Sequence, residues 1–259
     1  PVTDALVTFL DPRPGERILE LAAGPGGVGV HVARLVGDRG SVLVSDLAPE
    51  MVDAARAQVG ELGLGNVETR VVDGQDTGLP SESFDGVVCR FGYMLMPDPV
   101  RGLAETARVL RSEGRVAFAV WGDRRANSWG TAATHALVEL GLVEPPDPYG
   151  PGPFALDDPD RLAAAVGAAG LSLERVEDVG VAWRFPSTEA WWEVMRDLSS
   201  TLQEALATAD PAGAAAVRDR AVGHLDLRRV AGEVVVDGVA RVALARVALD
   251  RATEDGRSG

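Results

Sequence analysis

The fold is decided by the stretch Ile18-Leu19-Glu20-Leu21-Ala22-Ala23-Gly24-Pro25-Gly26-Gly27. Residues 17–22 form a short apolar run typical of a buried strand, and this run leads directly into a glycine-rich loop. Glycines let the backbone turn sharply and approach a ligand without an intervening Cβ, and the helix predicted at 30–36 presents free N–H groups at its start. The stretch therefore predicts the first strand–loop–helix unit of a parallel α/β sheet.

Strand-like and helix-like segments alternate through the first half of the chain, an order that predicts successive βαβ units. We expect an α/β protein with a doubly wound, Rossmann-like sheet of seven strands, mostly parallel, with an antiparallel C-terminal hairpin and helical cap insertions. Six strands are predicted over residues 17–22, 41–45, 67–72, 86–90, 115–121 and 171–179. In the hairpin, Asp237-Gly238 is typical of a type I′ turn between arms at 233–236 and 239–249.

The chain is predicted to form a single domain over residues 1–259. A cofactor-binding half at 14–121 carries the regular alternation of strands and helices. Cap segments at about 122–170 and 186–230 interrupt it, and we expect these segments to contact the substrate. Their helical patterns cover residues 128–140, 159–169, 188–209 and 212–227.

Composition and charge restrict the partners. The chain is 46% hydrophobic and 25% charged and has no stretch near the roughly 18 apolar residues of a membrane helix, so we expect no membrane span. Its net charge of −14 repels phosphate backbones, so we expect no nucleic acid partner. Cys89 is the single cysteine, which excludes a disulfide framework and a multi-cysteine metal site within one chain and favours a reducing, cytoplasmic location. We predict no metal.

Chemically distinctive residues recur where predicted strands end, namely Glu20 with the glycine loop, Asp46, and Asp73. In a doubly wound sheet, ligands bind beyond the carboxyl ends of the strands. Asp46 lies twenty residues after Gly26, the distance at which a carboxylate can accept both hydroxyls of a ribose. Asp73 would suit the amino edge of an adenine. Together these residues predict an adenosine laid across three strand ends.

The glycine loop by itself leaves two cofactors open. Residues 24–29, Gly-Pro-Gly-Gly-Val-Gly, also match the dinucleotide pattern G-x-G-x-x-G of a nicotinamide-dependent oxidoreductase. Glu20 suits a cofactor with a cationic amino-acid end better than a pyrophosphate that carries two negative charges. Asp73 favours the same choice, because a dinucleotide gives it no special role.

With these residues in place, the chain resembles the class I S-adenosylmethionine-dependent methyltransferases of small molecules, including the enzymes of ubiquinone and menaquinone synthesis and relatives in secondary metabolism. Residues 18–27 resemble the first family motif, 45–51 the ribose motif and 72–75 the adenine motif. Residues 89–96 and 110–115 resemble the segments after strand four and before strand five. The spacing from Asp73 to Leu79-Pro80 is two residues longer than in the commonest form, which keeps Asp76 as an alternative to Asp73.

This resemblance implies S-adenosylmethionine as cofactor and S-adenosylhomocysteine as product. In the family, the acidic residue and glycines of the first motif hold the methionine end of the cofactor. The resemblance also implies that Asp46 holds the ribose and that Leu47 and Met51 line the adenine pocket. The implied cofactor-binding residues are Glu20, Ala22, Gly24, Pro25, Gly26, Asp46, Leu47, Met51, Asp73, Gly74, Gln75, Arg90 and Phe91.

Two residues are candidates for catalysis. His135 lies after strand five, where the family places substrate-facing groups, and is the leading candidate for a general base. Tyr93 either orients a substrate hydroxyl or packs beneath the substrate. Cys89 is predicted to pack as a small buried hydrophobe rather than to act as a catalytic thiol.

Tryptophans concentrate in and around the predicted cap, at positions 121, 129, 183, 191 and 192. Such a cap fits an apolar or aromatic small-molecule acceptor. We expect methyl transfer to oxygen or carbon, in secondary metabolism. The alternatives are a methyltransferase-like fold that serves as a cyclase or binding protein, and an NAD(P)-dependent oxidoreductase.

Overall fold

The computed structural model describes residues 1–248 as one mixed eight-stranded sheet flanked by helices. The strands are β1 Arg17–Leu21, β2 Ser41–Asp46, β3 Val67–Val71, β4 Phe84–Arg90, β5 Leu110–Trp121, β6 Leu171–Phe185, β7 Leu227–Val230 and β8 Glu233–Val247. The helices are α1 Val2–Leu10, α2 Gly27–Val36, α3 Pro49–Glu61, α4 Pro99–Val109, α5 Ser128–Glu139, α6 Pro159–Ala168, α7 Thr188–Leu198, α8 Ser200–Thr208 and α9 Pro211–Gly223.

The first five strands are parallel, and the strand order is β3-β2-β1-β4-β5-β8-β6, with β7 paired to β8. After β1 the chain moves outward to β2 and β3 and then returns to β4 on the other side. The order therefore reverses beside β1, at the point where α/β sheets bind ligands. The predicted doubly wound α/β fold is confirmed.

The C-terminal strands differ from the prediction. Asp237 and Gly238 do not form a turn: they lie within β8 and pair with Ala182 and Val181 of β6. The turn of the C-terminal hairpin is instead at Ala231-Gly232, which joins β7 to β8. With β7, the sheet has eight strands, one more than predicted. The predicted end of the last arm, Leu249, lies outside the described residues.

A close approach of side chains explains why glycine occupies position 238 inside a strand. A Cβ at Gly238 would lie 2.7 Å from Asn127 Oδ1 and 3.0 Å from Trp129 Nε1. Buried Asn127 accepts hydrogen bonds from Trp129 Nε1 and from the Val239 N–H, and it donates to the Val239 carbonyl. Glycine therefore allows the start of α5 to dock on β8.

Strands β6 and β8 continue past the end of the parallel strands. The last residue of β5, Trp121, pairs with Ala240, whereas residues 233–239 of β8 pair only with β6 and β7. The extension places the end of β6 over the carboxyl edge of the sheet. Two further differences are local: α1 was not predicted, and the predicted helix 188–209 is divided at Ser199, whose side chain caps α8.

Candidate active site

A cavity of about 460 Å³ opens at the carboxyl edge of the parallel strands. Its floor is the glycine loop after β1 and the ends of β4 and β5, and its walls are the start of α1 and the extension of β6. The lining residues are Pro1, Val2, Thr3, Ala22, Ala23, Gly24, Pro25, Arg90, Phe91, Trp121, Val181 and Trp183. Five of the residues predicted from the sequence for the cofactor or its rim therefore line one cavity: Ala22, Gly24, Pro25, Arg90 and Phe91.

The glycine loop combines an open position with a packed one. Gly24 has a φ of +55°, and no atom lies within 4 Å of the place its Cβ would occupy, so a ligand can approach the backbone there. Gly26 has a φ of +83°, and its Cβ would lie 3.2 Å from the Cβ of Ala55 on α3. Ala22 adopts a left-handed φ of +49°, which is unusual for a residue with a Cβ and is often found at functional sites.

Glu20 lies beneath this loop and does not line the cavity. Its side chain is 1% exposed, and its Oε2 accepts a 2.8 Å hydrogen bond from the N–H of Gly29 in the first turn of α2. Burial raises the pKa of this carboxyl to about 7, although the Gly29 N–H and the charge of Arg90 oppose the rise. Glu20 therefore supports the loop from below; contact with the cofactor through Glu20 stays a prediction.

Asp46 connects the end of β2 to the glycine loop. One carboxylate oxygen accepts from the Gly24 N–H at 2.8 Å and the other from the Ala48 N–H at 3.0 Å. Two apolar side chains follow it and are largely exposed, Leu47 at 67% and Met51 at 43%. This half-buried carboxylate and the apolar surface beside it adjoin the cavity through Gly24, which is one of the lining residues.

The segment after β3 is held by hydrogen bonds within itself and to α4. The exposed Asp73 carboxylate accepts from the Gln75 N–H at 2.8 Å. The Gln75 side chain accepts from the Asp98 N–H, and the Gln75 carbonyl accepts from Arg101 Nε. The Gln75 side-chain oxygen thus supports the shape of this segment, while the Asp73 carboxylate stays exposed near Gly74.

Arg90, at the end of β4, reaches across the cavity to α1. Its Nη1 donates to Thr3 Oγ1 at 2.9 Å, and it forms no ion pair with any carboxylate of residues 1–248. The next residue, Phe91, has a φ of +63°, and its ring stacks on Trp121 with centroids 4.3 Å apart. Both predicted rim residues therefore line the cavity.

An aromatic cluster forms the side of the cavity nearest α5. Trp129 lies 4.6 Å from Trp121 and 5.1 Å from Trp183, measured between ring centroids. Trp129 donates its indole N–H to Asn127, but the buried Nε1 of Trp183 has no hydrogen-bond partner among the described residues. Trp191 and Trp192 are buried on α7 and do not line the cavity.

The two candidate catalytic residues lie away from the cavity. His135 is exposed on α5, with its ring 5.7 Å from that of His224. Tyr93 is fully buried, and its hydroxyl is 2.6 Å from Thr106 Oγ1. A catalytic role for either residue stays a prediction that this geometry does not favour. Cys89 is buried, and burial raises the pKa of its thiol to about 12, as expected for a packing residue.

Four lining residues, Pro1, Val2, Thr3 and Val181, were not predicted from the sequence, and Trp183 was predicted only as one of several tryptophans in and around the cap. Thr3 lies on α1, a helix too short for its pattern to stand out. Val181 and Trp183 lie on β6, between the two segments assigned to the cap. The alternation of residues 179, 181, 183 and 185 toward one face was the available signal, but it does not specify which cavity that face covers.

Comparisons with known proteins agree with this geometry. Residues 18–114 match the family model described as "Methyltransferase domain". The chain is 34% identical to the nocamycin O-methyltransferase of Saccharothrix syringae over 208 residues, which cover 73% of this chain and 71% of that protein. Other curated relatives are matched over only 54% and 42% of their own length.

Solved structures support the fold. A structure described as a putative methyltransferase from Bacillus halodurans C-125 superimposes with a TM-score of 0.66 at 19% identity, covering 95% of this chain and 99% of that one. The [4+2]-cyclase SpnF superimposes with a TM-score of 0.60, also at 19% identity, and covers 96% of this chain and 80% of that one. Among residues 1–248, no helix combines the length and apolar character needed to cross a membrane.

Proposed function

Because this chain belongs to the S-adenosylmethionine-dependent methyltransferases, we propose that it transfers a methyl group from S-adenosylmethionine to an oxygen of an apolar, aromatic small molecule. The observation that carries the proposal is the continuity between two sites. Asp46, with the exposed Leu47 and Met51 beside it, is hydrogen-bonded to Gly24, which lines a cavity with aromatic walls at the glycine loop. One site suits the cofactor and the other suits an acceptor.

The residues present fit the cofactor. The unobstructed position at Gly24 is a backbone cradle that a side chain would fill. Half-buried Asp46 can accept hydrogen bonds from ribose hydroxyls while it holds the loop, and the exposed Leu47 and Met51 offer an apolar surface to the adenine. Asp73, Gly74 and Gln75 would border the adenine, and Ala22, Pro25 and Arg90 the methionine end. When bound, S-adenosylmethionine supplies a methyl group bonded to a positively charged sulfur.

The protein contributes mainly by holding the acceptor close to the cofactor site and by excluding water. Phe91, Trp121 and Trp183 give the cavity apolar faces against which a flat molecule can pack. Transfer to oxygen is favoured by the relative named as an O-methyltransferase, and a role in secondary metabolism fits the same relative. Reaction at carbon stays an alternative for the acceptor screen.

Calorimetry tests the cofactor half of the proposal. S-adenosylmethionine and S-adenosylhomocysteine should bind the intact chain with micromolar affinity. Asp46→Ala should weaken binding by about 10-fold or more, because hydrogen bonds to a charged group contribute roughly 1.5 to 3 kcal/mol each. The matched control is Asp53→Ala on α3, whose exposed carboxylate pairs with Arg56 and should leave binding unchanged.

A transfer assay with radiolabelled S-adenosylmethionine and a panel of aromatic acids and phenols tests the reaction itself. Methylation of oxygen on at least one acceptor is expected. Tight cofactor binding with no transfer to any acceptor would favour the cyclase or binding-protein interpretation. Binding of a nicotinamide cofactor in place of S-adenosylmethionine would contradict the proposal.

A further inference from the structure

The guanidinium of Arg90 lies between the starts of two helices. Its Nη1 donates to Thr3 Oγ1 in the first turn of α1 at 2.9 Å. On the other side, its Nη2 would lie 3.7 Å from a Cβ placed on Gly27, the first residue of α2. The guanidinium has five N–H donors, and among residues 1–248 only the bond to Thr3 uses one of them. Thr3 therefore fixes one side of a cation whose Nη2 side adjoins the glycine loop.

The two ends of α1 are held differently. At the end of the helix, the buried guanidinium of Arg115 donates to the carbonyls of Leu10 and Asp11. At its start, an apolar side chain packs in the core, and the bond between Thr3 and Arg90 is the one hydrogen bond within residues 1–248 that joins the first turn to another element. The position of the first turn and the orientation of the Arg90 guanidinium therefore depend on each other.

The proposed cofactor supplies an anion for this guanidinium. The methionine end of S-adenosylmethionine, which the proposed function places beside Arg90, carries a carboxylate. A carboxylate binds a guanidinium most strongly through two parallel N–H···O bonds, and this geometry requires the guanidinium plane to be held in place. A long side chain that becomes immobilised only on binding lowers the affinity. A hydrogen bond that is present before the ligand arrives reduces this loss.

We propose that Thr3 is a positioning residue for the cofactor. Its hydroxyl holds Arg90 in the orientation that receives the methionine carboxylate, and the bound carboxylate in turn holds the first turn of α1 against the cavity. The inference rests on the proposed function, because it concerns how this chain binds the same cofactor. Thr3 acts through Arg90 and does not contact the reacting atoms. Selectivity for ligands that carry the amino-acid end then depends on a helix outside the sheet.

The hydroxyl is the group that the inference requires at position 3. Thr3→Val keeps the shape of the side chain and removes the oxygen that accepts from Arg90, whereas Thr3→Ser keeps that oxygen. Threonine and valine have similar helix propensities, so the first substitution should leave α1 formed. Thr8 provides a matched control on the same helix, because its side chain is exposed and its hydroxyl donates to the Asp4 carbonyl within α1.

Calorimetry with two ligands tests the inference. S-adenosylhomocysteine carries the amino-acid end, whereas 5′-methylthioadenosine has the same adenosine and thioether without it, so the ratio of their affinities isolates the contribution of that end. The native chain should bind S-adenosylhomocysteine at least about 10-fold more tightly. Thr3→Val should lower this ratio by about 3- to 10-fold and leave the affinity for 5′-methylthioadenosine within about 2-fold of the native value. Thr3→Ser and Thr8→Val should keep the ratio.

A double-mutant cycle measures whether Thr3 acts through Arg90. Arg90→Gln removes the charge and should lower the affinity ratio at least as much as Thr3→Val does. Adding Thr3→Val to Arg90→Gln should then lower the ratio no further, because the group that Thr3 positions is already lost. The proposal is wrong if Thr3→Val leaves the ratio unchanged, if it weakens both ligands equally as a purely structural residue would, or if the two substitutions have additive effects.

Hydrogen exchange in the first turn of α1 gives a second readout. Saturating S-adenosylhomocysteine should slow exchange of the amides of residues 5–7 by at least about 3-fold, because a bound carboxylate secures Arg90 and with it Thr3. Saturating 5′-methylthioadenosine should not slow it, and Thr3→Val should lose the protection. Equal protection by the two ligands would overturn the proposal.

Failure of the proposed function gives a different pattern. If the native chain binds neither ligand, the cofactor site and the role of Thr3 are both contradicted. If the native chain prefers S-adenosylhomocysteine and Thr3→Val keeps that preference, the cofactor site stands and the role of Thr3 alone is wrong. Thermal unfolding of each variant checks that a lower affinity ratio does not reflect a lost fold.

Discussion

The ring of Phe91, in the first residue after β4, stacks on the indole of Trp121, the last residue of β5, with centroids 4.3 Å apart. The two residues end neighbouring parallel strands, so their side chains meet at the carboxyl edge of the sheet. Phe91 holds this place with a left-handed φ of +63°. The flat floor of the cavity is therefore obtained at the cost of backbone strain.

Two substitutions of Phe91 distinguish the contribution of its ring to ligand binding from the effect of its backbone strain on stability. Phe91→Ala and Phe91→Gly should weaken binding of 2-naphthoate equally, by about 3- to 10-fold, because an aromatic contact contributes roughly 0.5 to 1.5 kcal/mol. In urea unfolding, the glycine variant should be more stable than the alanine variant by about 1 kcal/mol, because only glycine adopts a positive φ without strain. Equal stability of the two variants would contradict strain at this residue.

Trp183 should affect binding, whereas Trp192 should affect stability alone. Trp183→Leu removes a cavity wall and its unpaired N–H, so naphthoate affinity should fall by about 10-fold. Trp192→Leu changes an equally large side chain that is buried on α7 away from the cavity. It should lower the free energy of unfolding and leave affinity within about 2-fold of the native value. Calorimetry and urea unfolding on both variants measure the two effects. If Trp192→Leu weakens naphthoate binding and Trp183→Leu does not, the aromatic molecule does not bind against Trp183.

Glu20 should make stability depend on pH in the direction opposite to an ion-paired carboxylate. Its pKa is about 7 when folded and near 4.5 when unfolded, so the folded state holds a proton that the unfolded state has lost in this range. The contribution is thus favourable at low pH and is lost as pH rises through about 7. Glu20→Gln keeps a neutral acceptor for the Gly29 N–H and removes the titration.

The comparison of Glu20→Gln with the native chain isolates this group. The free energy of unfolding of the variant should rise relative to that of the native chain by about 2 kcal/mol between about pH 5.5 and about pH 8. Urea unfolding at several pH values measures the difference. A difference that does not change with pH would mean that the Glu20 pKa is not raised.

Gly238 and Gly180 test the register of the long antiparallel strands. Gly238→Ala should lower the free energy of unfolding by about 1 to 3 kcal/mol, because its Cβ would collide with Asn127 and Trp129. Gly180→Ala lies in the paired strand β6, has no atom within 4 Å of the new Cβ, and should be neutral or slightly stabilising. If Gly238→Ala is tolerated as well as Gly180→Ala, the docking of α5 on β8 is wrong.

The sequence by itself determined the parallel half of this protein. Residues 18–27 specify a buried strand, a glycine turn and a helix within one short segment, and the following alternation places Asp46 and Asp73 at the ends of neighbouring strands. Such features depend on local pattern and chain order, which a sequence records directly. The fold class and the position of Asp46 beside the glycine loop were predictable for this reason.

Only the tertiary structure decided what surrounds the cavity. Trp183 reaches the cavity because β6 and β8 extend past β5, and Thr3 reaches it because α1 packs beside Arg90. Asp237-Gly238 has the local signature of a turn, but contacts with Asn127, 111 residues earlier, keep it in a strand. Strand extension, side-chain burial and close packing depend on residues distant in the chain, so local pattern does not determine them.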